Sequence, residues 1–391
     1  DLHKEYRRQR QMCIRDRRLN PSAFVLVTGC YAQRDQLTLE AIPEIDMVLG
    51  NEDKTNIVSK VLEKLSTASD FGSIDFTMFE LPEPSMAKNA IRRMIKIQEG
   101  CDQICSYCIV PKVRGRERSI PIEKLVCDVN GAYSQGAKEV VLTGTQLGSY
   151  GFDLYDSSLS KMVDTLLDQT DIERIRVSSI QPQEFNSDLL KLWNNVRLCP
   201  HFHIPLQSGS NKILKNMRRR YTREEFVAAI DRVRASVPNA AITTDVIVGY
   251  PSETDHDFHL TMDLCDRVKF ADVHVFRYSS RPGTTAYHFH DSVDPHIKSE
   301  RSRKLINLSR KHANEFRRDK VGREAKVLWE KNSSMTDGQT SVFSGLTENY
   351  MRVRCDSYDD LTGLITPVLI NRYDENSNTS VSYTHLTLPT I

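Results

Sequence analysis

Gly100-Cys101-Asp102-Gln103-Ile104-Cys105-Ser106-Tyr107-Cys108-Ile109-Val110-Pro111 carries three cysteines at the spacing C-x3-C-x2-C. Three thiolates this close converge on one centre if the loop wraps around it. Thiolates select soft metals and iron–sulfur clusters. A structural zinc site wants a fourth Cys or His nearby. After Cys108 the chain instead reads Ile, Val, Pro, Lys, Val, Arg, Gly. Three protein ligands on a four-iron cluster leave one iron open for a substrate or cofactor. Zinc, and three buried or incidental cysteines, are the competing readings.

Working outward, 391 residues leave room for two or three domains. Net charge is +1, so no global basic field advertises nucleic acid. Hydrophobic residues make up 39% and charged residues 27%, which suits a water-soluble chain. No apolar run reaches the roughly 18 residues of a membrane helix. The N-terminus does not read as a signal peptide. The cysteine count is odd, at nine, which argues for a reducing compartment and against a disulfide scaffold. The expected location is the cytoplasm.

On both sides of the cysteine loop the text alternates strand and helix. Strands are expected at 93–98, 138–143, 174–179, 201–206, 241–248 and 273–278. Helices are expected between them at 121–135, 158–169, 186–195, 222–236 and 254–268. Six β/α units in series imply a parallel sheet, open or barrel-like, with sites at the C-terminal strand ends. Those ends carry polar text: Thr143-Gly144-Thr145-Gln146, Ser178-Ser179-Ile180-Gln181, Pro205-Leu206-Gln207-Ser208-Gly209, Asp245 to Gly249, and Tyr278 to Thr284. Any one of them is a turn first; five after a cysteine loop point to a ligand. His203 reads as a packed core residue. His201 and His203 offer a metal pair, but the nearby text supplies no third ligand. Cys127, Cys199, Cys265 and Cys355 stand alone and read as small buried hydrophobes. A basic helix over 297–320 is either a solvated face or a phosphate contact.

An aromatic before the last cysteine (Tyr107), and the continuation Cys-Ile-Val-Pro-Lys-Val-Arg-Gly (108–115), resemble the radical S-adenosylmethionine (SAM) methylthiotransferases. These enzymes insert sulfur and a methyl group into tRNA bases or a ribosomal protein. The resemblance spans roughly residues 17 to 370. It implies an α/β fold: a partial (β/α)6 radical SAM barrel, an incomplete α/β N-terminal domain and a small C-terminal β-barrel of the TRAM type. It also implies a [4Fe-4S] cluster with an open iron on Cys101, Cys105 and Cys108, the residues that make the catalytic centre. SAM would be met by Tyr107, Thr143, Gly144, Ser179, Gln207, Ser208, Asp245 and Gly249.

The family's N-terminal domain holds a second [4Fe-4S] cluster on three cysteines. Gly-Cys-Tyr-Ala-Gln (29–33) matches the last of them, Cys30; the other two are expected before the chain starts. The resemblance is strongest to the branch acting on threonylcarbamoyladenosine beside the anticodon, through Leu142 to Gly148, Ser178 to Gln181 and His274 to Ser279. The isopentenyladenosine branch, similar in Arg114 to Ser119, is the alternative. A non-catalytic iron–sulfur RNA-binding protein is a further one. Implied partners are tRNA and a flavodoxin- or ferredoxin-class reductant, with no membrane and a monomeric state. The domains expected are 21–85 with its linker, 90–322 for the radical SAM domain, and 323–372 for the TRAM-like barrel. Residues 1–20 and 376–391 read as foreign to the fold.

Overall fold

Alternating apolar strands and amphipathic helices build the larger part of the chain. The computed structural model describes residues 15, 17–67, 90–336, 340–375, 377 and 379–381. Most of the expected linker, of the first 20 residues and of the tail lies outside the described residues. The described chain forms two units. One comprises residues 1–86, 100–116 and 279–288, and the other 87–99, 117–278 and 289–391, within what is described.

The larger unit carries six parallel strands: β1 (Arg92–Lys96), β2 (Glu139–Thr143), β3 (Arg174–Val177), β4 (His201–His203), β5 (Ala241–Val248) and β6 (Asp272–Arg277). They form two three-stranded sheets, β1-β2-β3 and β4-β5-β6. Isolated parallel bridges, Ile175 to Leu198 and Ser179 to His203, link the two. The apolar run Val140-Val141-Leu142 on β2 is buried throughout, as a parallel strand covered on both faces requires. Helices return the chain between strands. Arg223–Ser236 and Asp255–Val268 each start in a capping box, Thr222 with Glu225 and Thr254 with Asp257. Helix and strand side chains then share one core that includes Leu125, Leu142, Met162, Phe226, Phe270 and Leu305. The basic helix runs over Pro295–Arg318. Its Arg301 is buried, 2.7 Å from both Glu253 Oε2 and Asp255 Oδ1, so part of its charge serves the fold.

After Gly322 the pattern changes to a six-stranded sheet that is mostly antiparallel. Trp329, Phe343 and Val353 fill its core, and Trp329 Nε1 donates to Thr366 Oγ1 at 2.8 Å. Thr379–Val381 joins this sheet, pairing with Val353-Arg354 and Arg372–Asp374. Part of the tail set aside on sequence therefore enters the fold, because Thr379 and Ser380 are buried there.

The smaller unit holds the parallel pair Leu26–Thr28 and Met47–Leu49, with helices Cys30–Arg34, Gln36–Glu40 and Ile57–Thr67. Arg17, inside the stretch also set aside, donates to Asp46 Oδ2 at 2.6 Å and to Ala23 O at 2.8 Å. Folded structure thus begins before Pro21.

Candidate functional site

The cysteine loop is closed at its neck by backbone. Gly100 has φ 79°, and a Cβ there would lie 1.9 Å from the carbonyl oxygen of Arg116. Only glycine tolerates both the angle and the approach. Cys101 N donates to Gly115 O at 3.1 Å, and Arg116 pairs with Asp102 at 2.9 Å. Cys105 to Cys108 is a tight turn in which Cys108 N donates to Cys105 O at 3.1 Å. Ser106 is buried and its carbonyl accepts from Ala286 N at 2.7 Å. Cys101 is buried, while Cys105 and Cys108 are half-buried. Gln103 N donates to Cys101 Sγ at 3.4 Å.

This donor set fits a cluster better than a single ion. A structural zinc site wants four protein ligands, whereas three thiolates on one loop suit a four-iron cluster with one iron open.

Cys30 sits at the start of the helix Cys30–Arg34. Its sulfur accepts from Arg114 Nε at 3.4 Å and from Asn51 Nδ2 at 3.7 Å. Burial pushes its thiol up, but the two hydrogen bonds and the Arg114 charge outweigh that and hold it below the ordinary value. Arg114 lies in the sequence directly before Gly115 of the loop neck. The sequence reading gave it no role.

The larger unit encloses a cavity of about 500 Å3 whose lining includes Arg92, Arg176, Ser179, His201, Asp245 and Tyr350. His203 and His274 also line it. His203 Nε2 lies 3.1 Å from Asp245 Oδ2, and His274 Nδ1 lies 3.2 Å from Asp245 Oδ1. Burial works against the Asp245 charge, but the hydrogen bonds to both histidines hold the carboxyl well below the usual carboxylate range. The bond to Asp245 raises His274. Burial lowers His201, whose ring stacks on Tyr350 at 4.9 Å.

The remaining expected SAM residues are spread along the strand ends. Thr143 Oγ1 donates to Ile95 O at 3.2 Å. Gly144 packs against Leu147 and Gln98. Ser208 is buried, with its hydroxyl 3.5 Å from Thr261 Oγ1. Gln207 takes φ 65°, and its amide donates to Asp245 O at 2.8 Å. Gly249 has φ 71° and its amide donates to Glu253 Oε2 at 2.7 Å. Tyr107 lies half-buried in the turn of the cysteine loop. Of these residues, only Ser179 and Asp245 line the cavity.

Three features escaped the sequence reading. His203 is joined by Asp245 and His274, which come from neighbouring strands rather than from nearby text. Buried Glu139 gathers Arg92, Arg174 and Arg176 at 3.1, 3.8 and 2.9 Å. Charged residues at alternate positions of an otherwise apolar strand, Arg174-Ile175-Arg176-Val177, were the available signal. Cys127 is exposed, not buried, because it lies on the outer face of its helix; Cys199, Cys265 and Cys355 are buried as expected.

A model of the Radical SAM superfamily matches residues 95–265. The threonylcarbamoyladenosine tRNA methylthiotransferase of Bacillus subtilis (strain 168) is 34% identical over 371 residues, covering 93% of this chain and 82% of the relative. The chain belongs to the radical SAM methylthiotransferase family. The enzyme of the same name from Aquifex aeolicus (strain VF5) is 36% identical, covering 93% of this chain and 87% of the relative. A tRNA-2-methylthio-N(6)-dimethylallyladenosine synthase from Syntrophotalea carbinolica is 33% identical, covering 92% and 83%. Membership in the radical SAM methylthiotransferase family implies a [4Fe-4S] cluster and SAM. No helix among the described residues is long and apolar enough to cross a membrane.

Proposed function

We propose that this chain is a tRNA-modifying radical SAM methylthiotransferase. On this reading it adds a methylthio group to carbon 2 of N6-threonylcarbamoyladenosine beside the anticodon. The observation that carries it is the glycine-necked C-x3-C-x2-C loop, in a chain whose close relatives carry that activity in their names. Cys101, Cys105 and Cys108 would hold the cluster. Bound there, it would supply the electron that cleaves SAM and so allows hydrogen to be taken from an unactivated C–H bond.

The protein's own residues prepare that chemistry. The Gly100 neck holds the three cysteines on one short loop, and the Gln103 amide hydrogen-bonds the Cys101 sulfur. Thr143, Gly144, Ser179, Gln207, Ser208, Asp245, Gly249 and Tyr107 are the proposed SAM contacts. Hydrogen bonds from Arg114 and Asn51 lower the pKa of the Cys30 thiol, which supports Cys30 as a ligand of the second cluster. We read the six parallel strands as the partial (β/α)6 barrel over 90–322, and the C-terminal sheet over 323–372 as the TRAM-like RNA-binding module. The N-terminal domain is read over 21–85. A flavodoxin- or ferredoxin-class reductant, a monomer and a cytoplasmic location complete the reading.

Anaerobically reconstituted wild type is expected to form 5′-deoxyadenosine from SAM and reductant, and Cys105→Ala to lose both cluster iron and that product with its circular dichroism unchanged. Mass spectrometry of nucleosides from tRNA treated with the enzyme should show a methylthio adduct on threonylcarbamoyladenosine. An adduct on isopentenyladenosine alone would transfer the assignment to that branch. Iron binding without SAM cleavage would leave a non-catalytic RNA-binding protein.

A further inference from the structure

Three neighbouring strands of one sheet present imidazole, carboxylate and imidazole close together on one face. In register, His203 on β4 stands beside Thr243 on β5, and Asp245, two residues further along β5, stands beside His274 on β6. Alternate residues of a strand share a face, and adjacent strands lie about 4.8 Å apart. The three side chains therefore converge without any loop having to fold over. His203 Nε2, Asp245 and His274 Nδ1 are the group among the described residues whose ligand atoms all lie within 4.8 Å of one another.

The spacing suits a bound ion. A metal about 2.1 Å from its ligands sets neighbouring ligand atoms about 3.0 Å apart at right angles and about 3.4 Å apart at the tetrahedral angle. The observed separations are 3.1 Å from His203 Nε2 to Asp245 Oδ2 and 3.2 Å from His274 Nδ1 to Asp245 Oδ1, so each carboxylate oxygen faces one imidazole. The ring of His203 is held from its far side, with Nδ1 3.0 Å from Thr243 Oγ1. Metal-bound histidines are commonly oriented by such a partner on the other ring nitrogen. The rings of His203 and His274 stack at 5.5 Å, which fixes their planes together. One side of the trio is open: the side chain of His274 is 55% exposed and that of Asp245 26%. It faces the cavity of about 500 Å3. Two imidazoles and one carboxylate on one side of an ion, with free positions opposite, form the facial arrangement that suits borderline divalent ions. The charges of the nearby guanidiniums of Arg92 and Arg176 are partly offset by Glu139, which pairs with both, and by Glu330, which pairs with Arg92.

We propose that His203, Asp245 and His274 form a binding site for a borderline divalent cation of the zinc or ferrous class, with a ligand set separate from the cysteines. Its free positions take an oxygen ligand from whatever occupies the cavity. Thr243 is a positioning residue for His203.

The test uses full-length protein with its clusters reconstituted, so that the cysteines are occupied. Wild type, Asp245→Asn and His274→Gln are equilibrated anaerobically with Co2+ as the probe. Bound cobalt is measured by elemental analysis and by absorption, and folding by circular dichroism. Wild type should bind one more Co2+ per chain than either variant. The wild-type-minus-variant spectrum should show weak d–d bands without the intense thiolate-to-cobalt band. Thr243→Val, which removes no ligand, should weaken binding at least about tenfold. Equal cobalt in wild type and in folded variants would overturn the proposal and leave a hydrogen-bonded His–Asp–His trio. A difference spectrum dominated by the thiolate band would also overturn it. Production of 5′-deoxyadenosine is followed in parallel in His274→Gln and Thr243→Val, which change none of the proposed SAM contacts, and reports on the cluster chemistry there.

Discussion

At the scale of single residues, two positions carry consequences that their chemistry alone does not announce. Gly100 is needed for its missing Cβ, which would otherwise lie 1.9 Å from Arg116 O. Gly100→Ala should open the neck at a local cost of about 1–3 kcal/mol. Iron per chain after reconstitution should fall, while far-UV circular dichroism stays that of the wild type. Glu184 shows the second effect. Its carboxylate accepts from Gln146 Nε2 at 2.6 Å and from Gln181 N at 3.0 Å, yet burial pushes its pKa up to about 7. In the folded state the group therefore keeps its proton over a range where the unfolded chain, near pKa 4.3, has lost it. Its contribution to stability is full at low pH and is lost as pH rises through about 7, by about 4 kcal/mol at most. Glu184→Gln should remove this slope. The melting-temperature gap between variant and wild type should widen in the variant's favour from pH 5 to pH 8, and a constant gap would refute the assignment.

At the scale of elements, the starts of β1, β2 and β3 form a charged layer beneath an apolar sheet. Glu139 opens β2 and meets Arg92, Arg174 and Arg176 from its two neighbours. Burial alone would raise this carboxyl, but the three guanidiniums hold it below its ordinary range. Replacing Glu139 with Ala leaves buried arginines without their counter-charge, at a cost of about 3–5 kcal/mol. Urea denaturation should show a lower midpoint for Glu139→Ala, and a smaller loss for Glu139→Gln, which retains hydrogen-bonding atoms. The strand ends themselves were legible in the sequence, because near-continuous apolar runs followed by polar text read as parallel strands. The helix Asn211–Asn216 was not, since it is only 6 residues long and follows directly on Ser208-Gly209-Ser210. Ser210 caps it, accepting from Ile213 N at 3.4 Å.

At the scale of the larger unit, the C-terminal sheet is tied to the parallel strands through arginine donors. Arg174 donates to Leu346 O at 3.0 Å and to Lys326 O at 2.8 Å, and Arg176 donates to Glu348 O at 2.8 Å. Arg92 bonds Glu330 Oε1 at 2.9 Å and lies over the Tyr350 ring, as Arg176 does. Removing everything after Gly322 would strip these arginines of all these acceptors, leaving Glu139, and would uncover apolar surface around them. The truncated chain should be less soluble than the full chain and bind a hydrophobic dye that the full chain excludes. An equally soluble, dye-negative truncation would show that the contact is dispensable.

The sequence by itself determined the three-cysteine loop, the strand–helix alternation and the change of pattern after Gly322. Each of these is local: ligand spacing, apolar period and turn residues all act within a few positions of the chain. Family resemblance extended the reading to chemistry, and close relatives over most of the chain bear out the family. Tertiary structure alone decided which distant residues meet. Asp245 faces His203 and His274 because neighbouring strands share register, and register is set by how whole strands pair. Glu139 gathers three arginines because burial makes an unpaired charge too costly to keep. Arg114 meets Cys30 across 84 residues of chain, a distance no spacing rule covers.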